Sequence, residues 1–288
     1  MVGDVLFMDG KYLFVDSFGF KDITDVVKAE KPVSKKPVSK KPSRKEAKAT
    51  KKATPKKSMA GNELYALTTI ASKLKMDLIP VYEPDFALVD PGHVAMMTVK
   101  LDNGKSILGI DASQERMYFN IENLKMTKGK AEVTVDSDTV TIVNGGKKQL
   151  AEIKGPDSFP NFRVPKLDFD YAITVSPDTL KEQLATLKRM AKKSVPDVPV
   201  MLYGVNNDFR ISSDESYFFG MNVSVGSYNK KKFDFASKFL FKYIEALATM
   251  FSLADSPCTL YMSTDFPLKG VCRIGHMEME MLIAPQVE

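Results

Sequence analysis

The chain has 288 residues, 44% of them hydrophobic, with 41 Lys or Arg against 36 Asp or Glu and a formal charge of +5. That length suffices for one large domain or two ordinary ones, and no run approaches the ~18–20 consecutive apolar residues of a membrane span. Two isolated cysteines, two distant histidines and no GxGxxG, GxxxxGK[ST] or GxSxG leave metal, cofactor and nucleophile chemistry without a foothold.

The opening, MVGDVLFMDGKYLFVDS, has acids inside its apolar part and no basic start. It is a poor signal peptide, so the chain reads as soluble and intracellular, in cytoplasm, nucleoid or nucleus. Residues 29–60 follow, with the unit PVSKK twice in succession, four prolines, and twelve Lys or Arg against Glu30 and Glu46. Their excess of ten positive charges leaves the other 256 residues at −5. A segment so polar cannot bury enough surface to offset its ordering entropy, and it reads as disordered. Farther on, VTVDSDTVTIVNGG (133–146) alternates about Asp136-Ser137-Asp138, a hairpin signal.

Two helices are well specified. Ser176-Pro177-Asp178 supplies a cap, a first-turn proline and a first-turn acid. Leu180, Leu184, Leu187 and Ala191 then share one face, while Lys181, Lys188, Arg189 and Lys192 occupy another. The second helix is placed near Ala236–Phe251, its polar strip holding Lys238, Lys242, Glu245 and Thr249. An isolated lysine strip is usually a solvated face. Here an acidic body keeps lysines for one strip on each helix, which is the footprint of a surface facing a polyanion. CTLYMS (258–263), KGVCRIG (269–275) and MEMEMLIA (277–284) complete the chain as a meander. In its last strand Met277, Met279 and Met281 form a core stripe opposite Glu278 and Glu280.

Three stretches carry a resemblance: ALVDPGHVAMMTVKL (87–101), NFRVPKLDFDYAITVSPDTL (161–180), and TDFPLKGV through MLIAPQVE (264–288). In this order and spacing they resemble the DNA sliding clamps of the proliferating cell nuclear antigen (PCNA) family, most closely the archaeal form. The resemblance covers 61–288 and extends to 11–28, where YLFVDSFGFKDITDVVKA (12–29) looks like the clamp's first strand and the start of its first helix. ELYALTTIASKLK (63–75) would resume that helix, with the basic tract as an insertion in or beside it.

The resemblance implies an α+β fold of two similar clamp domains, each a sheet backed by two helices. The first would span 1–151, interrupted by 29–60; the connecting loop would span 152–168 and the second domain 169–288. Three chains would close a ring through edges near Lys147–Lys154 and Phe218–Val225. Lys181, Lys188, Arg189, Lys192, Lys238 and Lys242 would face duplex DNA without sequence preference. The implied function is a processivity factor, not an enzyme. It would encircle DNA and tether polymerase, nuclease and ligase through PIP-type motifs, after opening by a separate clamp loader. The partner peptide would seat on Val89, His93 and Val94, on Phe162 and Val164 of the connector, and on Pro267, Leu268, Ala284 and Pro285. Two other readings stand beside a homotrimer: a DNA-condensing protein acting through its lysine arm, and a specialised subunit of a heterotrimeric or checkpoint-type clamp.

Overall fold

The computed structural model describes residues 5–8, 11–16, 19–22, 56–156, 162, 164–190, 198–205, 208–213, 222–227 and 235–286. It divides into two compact units, Met1–Thr50 and Lys51–Glu288. In the first unit, β1 (Val5–Met8), β2 (Lys11–Asp16) and β3 (Gly19–Asp22) make an antiparallel three-stranded sheet.

The second unit holds three sheets. One has the order β4 (Lys56–Ala60), β9 (Ala131–Val135), β10 (Thr139–Asn144), β11 (Lys147–Lys154), β8 (Tyr118–Asn120), β5 (Leu78–Pro80). The central sheet runs β12 (Tyr171–Val175), β17 (Cys258–Met262), β18 (Leu268–Ile274), β19 (Met277–Ile283), β7 (Ala95–Leu101), β6 (Asp85–Val89). The third runs β15 (Asn222–Ser227), β14 (Asp208–Ser213), β13 (Pro199–Val205), β16 (Phe235–Leu240). Among its described residues are also three helices: α1 (Asn62–Leu74), α2 (Pro177–Met190) and α3 (Phe241–Ser252). Helix α3 contacts both of the others. Among the described residues no helix is long and apolar enough to cross a membrane.

The local signals explain these elements. Met277, Met279 and Met281 are buried along β19, so the period-two stripe is core. That strand pairs with β18 on one side and β7 on the other, Met277 opposite Leu101 and Ile283 opposite Ala95. The two halves therefore share one continuous sheet. Ser176 caps α2, its Oγ accepting the Thr179 N–H at 3.3 Å. Helix α1 ends where Lys75 turns left-handed (φ 57), and the Met76 N–H then reaches the Ala71 carbonyl at 2.9 Å. Helix α3 buries Phe241, Tyr243, Ile244, Ala246, Leu247, Ala248, Met250 and Phe251. It comes so close to the sheet that a Cβ on Gly270 would run into Leu247 Cδ1 and Phe251.

Several expectations are corrected. Residues 56–60, read as the end of the disordered tract, are strand β4, paired with β9 from Lys56↔Val135 to Ala60↔Ala131. Helix α1 follows within two residues, so β4 and α1 take the places assigned to 12–29. Residues 11–16 and 19–22 belong instead to the separate three-stranded sheet. The basic tract thus precedes the body's first strand and does not interrupt its first helix; residues 29–55 lie outside the described ones.

The second helix starts at Phe241, because 235–240 pairs with β13 as strand β16. Residues 56–156 contain one α-helix, not two. Residues 121–130 form a loop, and 23–55 of the expected first domain lie outside the described residues. Ala191, at the end of the apolar face of α2, lies outside the described residues, as does 218–221 of one expected edge. The rest of that edge is in β15, which does lie at the margin of its sheet. Strand β11 pairs with β10 through 147–152 and with β8 only through Ile153 and Lys154. Residues 147–152 therefore keep one side unpaired among the described strands.

Candidate peptide groove and candidate nucleic-acid interface

Strands β6 and β7 are joined by a tight turn organised by one carboxylate. Asp90 is 4% exposed. Its Oδ1 accepts the N–H groups of Val94 (2.7 Å) and Ala95 (2.6 Å), and its Oδ2 accepts those of Gly92 (3.1 Å) and the Tyr243 hydroxyl (2.7 Å). A buried carboxylate needs such donors to offset its desolvation. The turn holds His93 in the left-handed region at φ 54, with its N–H on the Asp90 carbonyl at 2.9 Å. The imidazole meets Phe162 edge-on, ring centroids 6.3 Å apart. Tyr243 belongs to the first turn of α3, so this turn is braced by the helix layer.

Beside the turn lies an apolar groove of ≈ 250 Å³. Val89, His93, Val94, Phe162, Pro267 and Ala284 line it, six of the nine residues read from the sequence as a peptide seat. The other three do not. Leu268 is fully buried and serves the core. Pro285 borders an adjoining hollow of ≈ 490 Å³ with Ala236, Lys238, Asp265 and Gln286. Val164 is 46% exposed on the connector, while the following Pro165 and Leu167 supply the wall. The segment after β19 is fixed there by the Ala284 N–H on the Val94 carbonyl and the Gln286 N–H on the Lys238 carbonyl, both at 2.8 Å.

Sequence reasoning missed Met96 and Leu282, directly paired across β7 and β19 and both lining the groove. The signal was present. In MEMEMLI the outward positions read Glu278, Glu280, Leu282, and the apolar break in that row marks the seat.

The expected cation face is only partly assembled. Lys181, Lys188 and Arg189 are exposed on α2, opposite buried Leu180 and Leu184. Lys188 Nζ donates to Glu245 Oε1 at 2.6 Å, tying α2 to α3, and Arg189 donates to Thr186 Oγ1 at 3.1 Å. Lys242 is exposed in the first turn of α3, its ammonium 5.0 Å from the Tyr243 ring centroid. Lys238 is half-buried on strand β16 beside the C-terminal hollow, off the helix strip to which it was assigned. Lys192 lies outside the described residues.

The loop 121–130 brings three further exposed cations, Lys125, Lys128 and Lys130, that periodicity could not reveal. Side-chain amides pin it. Gln149 bonds the Lys125 backbone twice (2.6 and 3.0 Å), Asn144 accepts from Thr127 N–H and Oγ1 (2.6 and 2.7 Å), and Asn62 of α1 accepts the Gly129 N–H at 2.8 Å.

No protein-family model and no curated protein matches the sequence. Solved structures do match the fold. The A. fulgidus PCNA bound to the C-terminal region of FEN-1 is 18% identical, with a TM-score of 0.61 over 81% of this chain and 98% of that one. The PCNA2–PCNA3 complex of Sulfolobus tokodaii gives 12%, 0.60, 81% and 100%, and the PCNA of Entamoeba histolytica gives 15%, 0.58, 80% and 98%. The chain has the sliding-clamp fold at nearly the full length of these structures. The uncovered fifth equals in length the stretch that precedes β4.

Proposed function

We propose that this chain is a subunit of a DNA sliding clamp, a ring that holds duplex DNA topologically and tethers other proteins to it. The observation that carries the reading is the apolar groove between the Asp90–Val94 turn, Phe162 of the connector and Ala284, on a fold shared with clamps over nearly their whole length. A patch built from elements this far apart in sequence is a typical anchor for a short peptide. The role is mechanical, not catalytic. A closed ring slides on weak, sequence-independent contacts without dissociating, and a tethered polymerase gains a high local concentration.

The exposed lysines of α2 and the loop lysines Lys125, Lys128 and Lys130 are the cations we assign to the DNA side. The open side of 147–152, with Leu150 63% exposed, and the marginal strand β15 suit antiparallel closure between subunits. Polymerase, nuclease and ligase would dock through the groove, after a separate loader opens the ring.

Native mass spectrometry with a polymerase assay on primed circular DNA tests this reading. A mass of three times 32.1 kDa, lowered to one chain by Leu150→Glu, with polymerase stimulation that is lost in parallel, is the expected result. A stable monomer that leaves polymerase unaffected would overturn it.

A further inference from the structure

The apolar groove does not end at His93. Val89, His93 and Phe162 line it and also a second hollow of ≈ 290 Å³, to which Lys75 and Asp77 contribute. Lys75, Asp90 and Pro91 continue into a third hollow of ≈ 230 Å³, bordered by Lys73 and Lys242. One surface path therefore leads from an apolar seat, over the Asp90–His93 turn, into a cleft with three exposed lysines. Two of them come from the end of α1, where the left-handed Lys75 closes the helix, and the third from the start of α3.

Among the described residues, the acids lining this path are two. Asp77 is half-buried in the middle hollow, and the carboxylate of Asp90 is already occupied by three backbone N–H groups and the Tyr243 hydroxyl. Among the described lining residues, the far end of the path is thus net positive.

Taking the groove as a peptide seat, as proposed above, we infer that its partners carry an acidic flank beside the apolar anchor, laid over the Asp90–His93 turn into the Lys73–Lys75–Lys242 cleft. Charge complementarity selects the sign of that flank, and continuity with the groove selects a peptide. Lys75 borders both the hollow shared with Phe162 and the cleft, so a chain leaving the anchor passes it. A DNA backbone would account for the lysines but not for their connection to an apolar seat. Exposed pairs are individually weak, so three acting together should add about 3- to 10-fold in affinity. The gain should fade with salt.

The test is fluorescence anisotropy on the full chain, using the C-terminal region of A. fulgidus FEN-1 as a synthetic peptide. It is made with a four-residue acidic, neutral or basic extension at either end. The acidic extension at one end should bind about 3- to 10-fold more tightly than the neutral one at low salt, and equally at high salt. In the double variant Lys73→Gln, Lys75→Asn that gain should vanish; asparagine tolerates the left-handed conformation, so the helix end is kept. Equal binding of the acidic and neutral peptides, or a gain that survives the double variant, would overturn the inference while leaving the groove as a peptide seat. Failure of every peptide to bind would remove both. If the variant weakens binding of a duplex oligonucleotide and leaves the acidic gain untouched, the cleft belongs to DNA and the inference falls.

Discussion

Residues 56–156 cover their part of the sheet framework with one helix and a loop, whereas the described residues of 171–286 cover theirs with two helices. The second half seats α3 by close packing, its aromatic and aliphatic side chains pressed onto Gly270. The first half seats residues 121–130 by amide hydrogen bonds from Asn62, Asn144 and Gln149, with Leu124 as a buried anchor. The sheet framework defines the fold, and what lies on it is exchangeable, provided that its backbone polar groups find partners. The two solutions should also fail differently.

Packing should fail hardest. Gly270→Val puts side-chain atoms where Leu247 and Phe251 already are, and should lower stability by about 3 kcal/mol in urea unfolding. A variant as stable as the parent would mean that α3 does not sit on the sheet as described. The amide-pinned loop should fail locally. Asn144→Ala removes the acceptor for Thr127 and should cost about 2 kcal/mol. Amide exchange should speed up around Thr127 while α2 and α3 stay protected. Equal loosening of all three would erase the distinction between the halves.

A smaller effect separates them by pH. Cys258 and Cys272, both free and buried, lie in β17 and β18 of the second half. The Cys272 thiol is pushed well up by sharing its hydrogen with Cys258 and by burial. In the unfolded chain it ionises near pH ~8.5, so above that pH the unfolded state binds fewer protons and stability falls. The decline should not exceed ~1.4 kcal/mol per pH unit, and Cys272→Ala should flatten it. Native-state alkylation of Cys272 should be slow, since the thiolate is the reactive form.

The smallest effect concerns DNA. Lys128→Ala with Lys130→Ala should make the salt dependence of duplex binding shallower by up to ~1.8 in log–log slope, whereas Lys188→Ala should change it by less than ~0.9. Lys188 already spends its charge on Glu245 at 2.6 Å. A larger effect at Lys188 would reverse the assignment of the two faces.

Strict periodicity made much of this legible. The 258–284 meander and the capped start of α2 follow from alternation and from Ser176-Pro177-Asp178. The start of α3 was misread because FASKFLFKYIEAL is apolar at both the strand and the helix period, and only pairing with β13 settles that Phe235–Leu240 is strand. The first strand was assigned to 12–29 because that stretch also reads strand-then-helix, while Lys56 and Lys57 hide β4 inside a cationic run. The loop at 121–130 is held by Thr127 and Gly129, poor helix formers, together with bonds from Asn144, a residue 17 positions from Thr127. At the groove, residues with a sequence motif were found; Leu282 is marked by the apolar break in MEMEMLI, and Met96 joins it through their cross-strand pairing. The Asp90–Tyr243 bond spans 153 positions and leaves no trace in local pattern.

The pairing of β19 with β7 sets the order in which a newly made chain can mature. Leu101 waits for Met277, so β6 and β7 leave the ribosome with an unpaired edge that is not satisfied until the last strand has emerged. Loop closure over such a distance is slow, and the intermediate carries an exposed apolar strand face. The joint that makes the two halves one body is therefore also its most exposed moment during synthesis, when a chaperone or a neighbouring nascent chain has first access to β7.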